Sequence, residues 1–336
     1  MLTALCAWAI FANSTSNELD RLVDTYIAER HVMGLSAVVM KGGVVVDECY
    51  RGYADQVAGV KVDRTTRMRL ASISKSVTAT LAMRAVEKGL IDLDADVRKY
   101  VPEWPDKGET ITLREVLSHR SGIRHYQTGK KDAGYEELTT SQALDLFKND
   151  PLLFKPNEKY SYSTHGFTLV AAALENVTHK KMPQLVKELS LETSGPTLQC
   201  ESLAGKWPTW RSKHYVVKDS AAVPAGRAEN LSWKYGGGGM ESSAVDLAKF
   251  GYAVEKAKVL KLATRDTLWA DPEKDGYALG WVVNGAIREH SGSQQGAQSF
   301  LMVDPMKDIV IVVLTNTVPN PPATLAKQIY ALVSKE

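Results

Sequence analysis

Leu70-Ala71-Ser72-Ile73-Ser74-Lys75-Ser76 is the stretch on which the reading of this chain turns. Serine is a poor nucleophile at neutral pH, so an enzyme that attacks with it keeps a proton acceptor within hydrogen-bond reach. Ser72 and Lys75 are three residues apart, one helical turn, which puts amine and hydroxyl on the same face. Burial and a neighbouring cation can hold such a lysine partly neutral and able to take the proton. If Ser72 opens the helix, its backbone N–H and the positive helix end also favour a developing oxyanion. Ile73, Val77, Leu81 and Ala85 repeat every four residues behind it, and Gly89 is placed to end the helix. A Ser-x-x-Lys pattern arises by chance about once in a few hundred residues, so an ordinary surface helix competes until partners are found elsewhere.

Composition narrows the field. The chain has 336 residues, 44% hydrophobic and 24% charged, enough for one large domain or two interlocked lobes. A net charge of +2 with both signs interspersed argues against nucleic acid as a partner. Cys6, Cys49 and Cys200 form no C-x-x-C pair; Cys49 sits in a Val-rich strand as apolar filler, and a Cys49 to Cys200 bridge stays open. The seven histidines include no H-E-x-x-H and no compact ligand cluster, so neither a metal nor another cofactor is expected. Residues 1–12, MLTALCAWAIFA, are too short to span a bilayer but fit the h-region of a signal peptide with cleavage after Ala12, which implies a secreted or periplasmic protein. The basic n-region is missing, so a plain N-terminal helix fits as well.

Asn17 to Arg30 carries Leu19, Leu22, Val23, Tyr26 and Ile27 at helical spacing. Gly34–Met40 and Val44–Tyr50, joined by Lys41-Gly42-Gly43, read as a β-hairpin. Short helices follow: Thr112 with Glu115 and Ser243 with Asp246 are capping boxes, and Ser163 opens an apolar helix through Leu174. Residues 194–233 have little periodicity and are expected as a long loop lining a substrate cleft, with Trp207, Trp210 and Trp233 either core or cleft wall. Gly236–Gly239 lacks the Lys-Ser/Thr of a phosphate loop, so close backbone packing explains it better. Strands are expected at Tyr277–Val283, Ser299–Val303 and Ile309–Thr315, with a helix over Pro322–Lys335. The pattern predicts an α+β fold: a sheet lobe from 17–88 and 240–336 and a largely helical lobe from 89–239, with the catalytic groups at the seam.

Further along lie Tyr160-Ser161-Tyr162-Ser163-Thr164-His165-Gly166-Phe167 and His290-Ser291-Gly292-Ser293. With Val116-Leu-Ser-His-Arg-Ser-Gly122, Gly237-Gly-Gly-Met-Glu-Ser242 and Tyr277-Ala-Leu-Gly-Trp281, these three ordered motifs resemble the penicillin-binding-protein-like serine hydrolases. That family includes class C β-lactamases, D-alanyl-D-alanine carboxypeptidases and related esterases. Ala71-Ser-Ile-Ser-Lys-Ser76, Ser121-Gly-Ile-Arg-His-Tyr126 and Leu146-Phe-Lys-Asn-Asp-Pro-Leu152 are most similar to its animal mitochondrial β-lactamase-like serine protease branch, without that branch's charged insertion.

The resemblance implies a β-lactamase/DD-peptidase-like fold, an antiparallel sheet flanked by helices, over 17–336. It implies Ser72 as acylated nucleophile, Lys75 as its proton acceptor, and Tyr162 as base and then proton donor, with Tyr160 a rival for that place. His290 would orient substrate and tune the base. The backbone N–H groups of Ser72 and Ser293 would form the oxyanion hole, and Thr164, Ser291 and Gly292 would touch substrate. His119 and His165 fall on no catalytic position and read as structural. Thr164 stands where β-lactamases carry Asn; its hydroxyl reaches less far, which favours peptide, amide or ester substrates over β-lactams. Two alternatives remain: a β-lactamase or D-alanyl-D-alanine carboxypeptidase, and a catalytically silent scaffold that binds peptidoglycan peptides or self-assembles as an oligomer or filament.

Overall fold

The computed structural model describes residues 17–127, 132 and 134–335; the expected leader, 1–12, and Cys6 lie outside them. Helix α1 (residues 17–30) turns Leu19, Val23 and Tyr26 inward. β1 (Gly34–Lys41) and β2 (Val44–Asp55) form the expected hairpin. Its two connecting residues, Gly42 and Gly43, have φ of 60° and 80°, the two-residue turn whose twist matches that of paired strands. β3 (Val60–Lys61) extends the edge, and β4 (Met68–Arg69) leads through a 3-10 turn at Ala71–Ile73 into α2 (Ser74–Glu87), which stops before Gly89 at φ 68°.

The middle of the chain is helical. α3 (Leu113–Leu117) and α4 (Thr140–Asp145) both carry complete capping boxes, the first from Thr112 and Glu115 as expected. α5 (Thr164–Thr178) is capped by Ser163, and α6 (Met182–Thr193) follows. Residues 194–233 are less irregular than their composition predicts: β5 (Gln199–Cys200), β6 (Tyr215–Lys218) and β7 (Ala221–Pro224) lie within them. Strands of two to four residues are too short to show period-2 alternation, which is why they escape a sequence reading.

After α7 (Tyr235–Gly238) come β8 (Met240–Ser242), α8 (Ala244–Glu255) and α9 (Leu262–Trp269). Ser243 caps α8, but the expected reciprocal box is replaced: the Asp246 carboxylate accepts from the Thr197 hydroxyl at 2.7 Å. The strand expected at Tyr277–Val283 is reduced to β9 (Val282–Asn284), because Gly276 and Gly280, at φ 84° and 73°, bend the approach. β10 (Ile287–Gln294), β11 (Ala297–Asp304), β12 (Ile309–Thr315), β13 (Thr317–Val318) and α10 (Ala323–Val333) complete the chain.

The main sheet has the order β3-β2-β1-β12-β11-β10-β9 and is antiparallel throughout, so the first and last segments share one sheet. Alternate residues divide between its faces. Val39, Ile311 and Val313 meet Leu19 and Val23 of α1 and Leu325 and Ile329 of α10, whereas Val38, Val310 and Val312 join the larger core with Leu247 and Phe250 of α8 and Val77 of α2. Cys49 and Cys200 are both buried and free, so the bridge left open by the sequence does not form.

Two buried ion pairs fasten 194–233 to the rest. Arg69 donates to both Glu201 oxygens at 2.7 and 2.6 Å, and Arg211 to both Glu241 oxygens at 2.6 and 2.8 Å. Removing one partner of a buried pair strands the other charge. Glu201→Ala is therefore expected to lower stability by about 3–5 kcal/mol in urea unfolding, and a loss under about 1 kcal/mol would contradict a fastening role for the pair.

Candidate active site

The nucleophile segment is held from three sides. The Leu70 N–H donates to Met240 O at 2.8 Å, and the Leu70 carbonyl accepts from the Ser299 hydroxyl at 2.6 Å. Between them Ala71 is forced to φ 48°, a left-handed conformation unfavourable for a residue with a side chain. That kink sets Ser72, part exposed, at the foot of α2. β10 passes so close that a Cβ on Gly292 would stand 2.3 Å from the Leu70 carbonyl oxygen. Gly292, having no side chain, permits this approach.

Lys75 lies wholly inside the protein at 0% exposure. Its Nζ is 2.6 Å from the Gly237 carbonyl oxygen, 3.1 Å from Thr164 Oγ1 and 3.2 Å from Ser72 Oγ, with no carboxylate hydrogen-bonded to it among the described residues. Burial, reinforced by the charge of Lys234, pushes its pKa well below the ordinary lysine value. A neutral amine has two N–H bonds and one lone pair. The carbonyl can only accept, so one N–H goes to Gly237 and the second suits Thr164, leaving the lone pair for the Ser72 hydroxyl. Thr164, 3% exposed, thus stands behind the lysine as a support for it rather than in the cleft, where the motif resemblance places it.

The Gly236–Gly239 run is a packing device, as expected. A Cβ on Gly236 would meet the Phe167 carbonyl oxygen at 2.3 Å and one on Gly237 the Thr164 methyl at 2.8 Å, so only glycine lets α7 press against α5 and bring the Gly237 carbonyl to Lys75.

Tyr162, not Tyr160, borders the pair. Lys75 Nζ sits 4.6 Å from the centre of the Tyr162 ring, and the Ser72 hydroxyl lies near enough to the phenol to favour its ionised form. Burial drives the phenol pKa up more strongly than the Ser72 hydroxyl lowers it, so Tyr162 keeps its proton. Tyr160 is 39% exposed, and its ring packs on His119 and Tyr277.

His290 is 3% exposed, and both its ring nitrogens are engaged: Nδ1 lies 2.7 Å from the Ser291 carbonyl and Nε2 3.0 Å from the Tyr277 hydroxyl. A carbonyl accepts only, so Nδ1 carries the proton and Nε2 accepts from Tyr277. Burial, then the nearby Lys75 charge, lowers the His290 pKa to about 3. It is a neutral imidazole, with no hydrogen bond to Ser72, Lys75 or Tyr162 among the described residues. Ser291 and Ser293 are exposed on the same strand, and β9 pairs β10 only over Ile287–Glu289, which leaves the edge from His290 to Gln294 open on that side.

Sequence reasoning missed Tyr277, Lys234 and His125. Tyr277 fixes the His290 ring; His125 Nδ1 accepts from the Thr164 N–H at 3.0 Å; Lys234, 4% exposed, supplies the cation beside Lys75. His119 and His165 are structural: the first accepts from the Ser163 N–H at 3.1 Å and packs 4.3 Å from the Tyr162 ring, the second stacks on Phe147 at 4.1 Å. Trp233 is core at 1% exposure, while Trp207 and Trp210 stack with Lys213 and Arg67. Of 194–233, the Arg227–Glu229 end reaches the site, through Gln295 in the turn after β10.

Residues 19–335 match the family described as Beta-lactamase. The chain is 30% identical over 414 residues to the mitochondrial serine beta-lactamase-like protein LACTB of Homo sapiens, covering 91% of this chain and 74% of that one. It is 27% identical over 321 residues to protein flp of Staphylococcus aureus (strain MW2), covering 90% of this chain but 64% of that relative, less than two thirds of its length. Among solved structures, EstCE1, a hydrolase with promiscuous acyltransferase activity, superposes with a TM-score of 0.82 at 20% identity, covering 96% and 99% of the two chains. The D-amino acid amidase from Ochrobactrum anthropi SV3 gives 0.82 at 18% identity over the same shares. The octameric penicillin-binding protein homologue from Pyrococcus abyssi gives 0.80 at 23%, covering 95% and 77%. These superpositions establish the β-lactamase/DD-peptidase-like fold. Among the described residues, no helix is long and apolar enough to cross a membrane.

The electrostatics of the two lysines can be read by 13C NMR of lysine labelled at Cε. Lys75 is expected to titrate well below the ordinary lysine value and Lys234 at about 8. Lys234→Met removes a like charge that disfavours protonation, so the Lys75 midpoint moves up. A wild-type Lys75 midpoint near the ordinary 10.5 would contradict the neutral amine.

Proposed function

Because the chain belongs to the beta-lactamase family, we propose that it is a serine hydrolase in which Ser72 is acylated by an ester or amide substrate. The observation that carries the reading is the buried Lys75 amine, 3.2 Å from Ser72 Oγ and without a counter-ion among the described residues to hold its proton. Ser72 Oγ attacks the substrate carbonyl carbon, and its proton passes to the Lys75 lone pair. The carbonyl π electrons move to oxygen, and that oxyanion lies against the backbone N–H groups of Ser72 and Ser293. On collapse, the bond to the leaving group breaks; the leaving oxygen or nitrogen takes the Tyr162 proton, which the Lys75 ammonium replaces. Water then attacks the Ser72 ester by the same steps in reverse, giving the acid and restoring the hydroxyl.

Two groups pushed in opposite directions by burial divide the labour: Lys75, pushed down, is the base, and Tyr162, pushed up, is the acid. His290, neutral and tied to Tyr277, braces the wall of the site and moves no proton. EstCE1 is a hydrolase that also transfers acyl groups, and the Ochrobactrum protein is an amidase; both chemistries are open to a site of this kind. Thr164, engaged with Lys75, leaves no side-chain amide at the second motif, which favours small esters and amides over β-lactams. A silent peptide-binding scaffold has no need of a nucleophile with its base already beside it.

Steady-state kinetics on p-nitrophenyl butyrate, D-phenylalanine amide and nitrocefin test the reading. Turnover of the ester or amide is expected to exceed that of nitrocefin, with kcat/KM down about a thousandfold or more in Ser72→Ala and Lys75→Ala and about a hundredfold in Tyr162→Phe. Undiminished turnover in Ser72→Ala would overturn it, and nitrocefin as the best substrate would put the β-lactamase alternative first.

A further inference from the structure

Two polar side chains beside the site have no hydrogen-bond partner among the described residues. Lys234 is 4% exposed, yet among the described residues its ammonium has neither a hydrogen bond nor an ion pair; it lies 5.0 and 5.4 Å from the ring centres of Trp233 and Tyr126. Gln294, at the end of β10, has a carboxamide whose oxygen and nitrogen are both buried without a partner among the described residues. The two meet over Gly238: a Cβ built there would lie 3.4 and 3.6 Å from Lys234 Cδ and Cε and 3.7 Å from Gln294 Oε1. Gly238 follows the residue whose carbonyl holds Lys75, and Gln294 follows Ser293. The buried amide is costly to leave without a partner, and the ammonium, held only over two ring faces, has its hydrogen-bond donors free for a ligand.

We propose that Lys234 and Gln294 form a subsite for a carboxylate, so that preferred substrates carry this anion within reach of the acyl group. With the Gln294 carboxamide turned so that Nε2 replaces Oε1 over Gly238, one carboxylate oxygen accepts from Lys234 Nζ and the other from Gln294 Nε2. The surrounding charges leave room for that anion. Glu201 is committed to Arg69 through two hydrogen bonds, and among the described residues Glu229 makes no ion pair with Lys234. Arg69 and Lys75 are basic groups and do not compete with it. Lys234 retains its proton at neutral pH, because its pKa, lowered chiefly by burial, stays at about 8.

The reading of this ligand as a substrate rests on the proposed hydrolase function; its binding does not, and two measurements separate them. In the first, kcat/KM is compared for p-nitrophenyl monoadipate and its methyl ester, which differ by one charge. The wild type is expected to prefer the anion by about tenfold or more. Lys234→Met should erase that ratio through KM, Gln294→Leu should reduce it, and Lys234→Arg should restore part of it. In the second, Ser72→Ala protein is titrated with monomethyl and dimethyl adipate. Saturable binding of the monoanion alone, lost in Ser72→Ala/Lys234→Met with an unchanged circular dichroism spectrum, is the expected result. Ester turnover without anion preference, or a preference that survives in Lys234→Met, overturns the subsite and leaves the hydrolase reading intact. Lys234-dependent binding with no turnover of either ester supports the subsite and overturns the hydrolase reading.

Discussion

A lysine amine sealed from water among three oxygens is the constraint on which the rest of this molecule depends. Lys75 Nζ touches Ser72, Thr164 and Gly237, so one atom joins the foot of α2, the start of α5 and the glycine-rich α7. A buried ammonium with no carboxylate beside it would be costly, and the protein avoids that cost by releasing the proton. The consequence is a site that tolerates little displacement, since the same contacts that satisfy the amine also aim its lone pair.

Much of the surrounding architecture can be understood as keeping that atom in place. Glycines at 236, 237 and 292 remove the side chains that would separate α7 from α5 and β10 from the nucleophile turn. Ala71 takes up backbone strain at φ 48° between fixed neighbours, Leu70 being bonded to Met240 and Ser299. The ion pairs of Arg69 with Glu201 and Arg211 with Glu241 bind the segment after α6 to β4 and β8, directly before and beside that strained turn. The large sheet and its two faces of aliphatic side chains supply the rigidity.

What the sequence reveals of this is what is local. Ser72 and Lys75 are one turn apart, Thr112 and Glu115 form their box within four residues, and Gly42-Gly43 dictates its own hairpin. The fold class and the shared sheet follow from strands at both ends of the chain. Contacts made across the chain are hidden. Gly237 supplies a backbone carbonyl from 162 residues away, which no side-chain pattern can announce, and Lys234 looks like any lysine before a glycine run. The motifs put Thr164 at the substrate because motif position does not say which way a side chain faces; burial turns it to Lys75. Short strands in 194–233 leave no periodic signal, so their order comes only with the tertiary contacts.

Intact-protein mass after exposure to a fluorophosphonate tests the activated serine most directly. One adduct on the wild type, absent from Ser72→Ala and formed far more slowly in Lys75→Ala, is the expected result. A well-folded wild type that remains unmodified, or one labelled equally in Ser72→Ala, would contradict a nucleophile made reactive by its buried lysine.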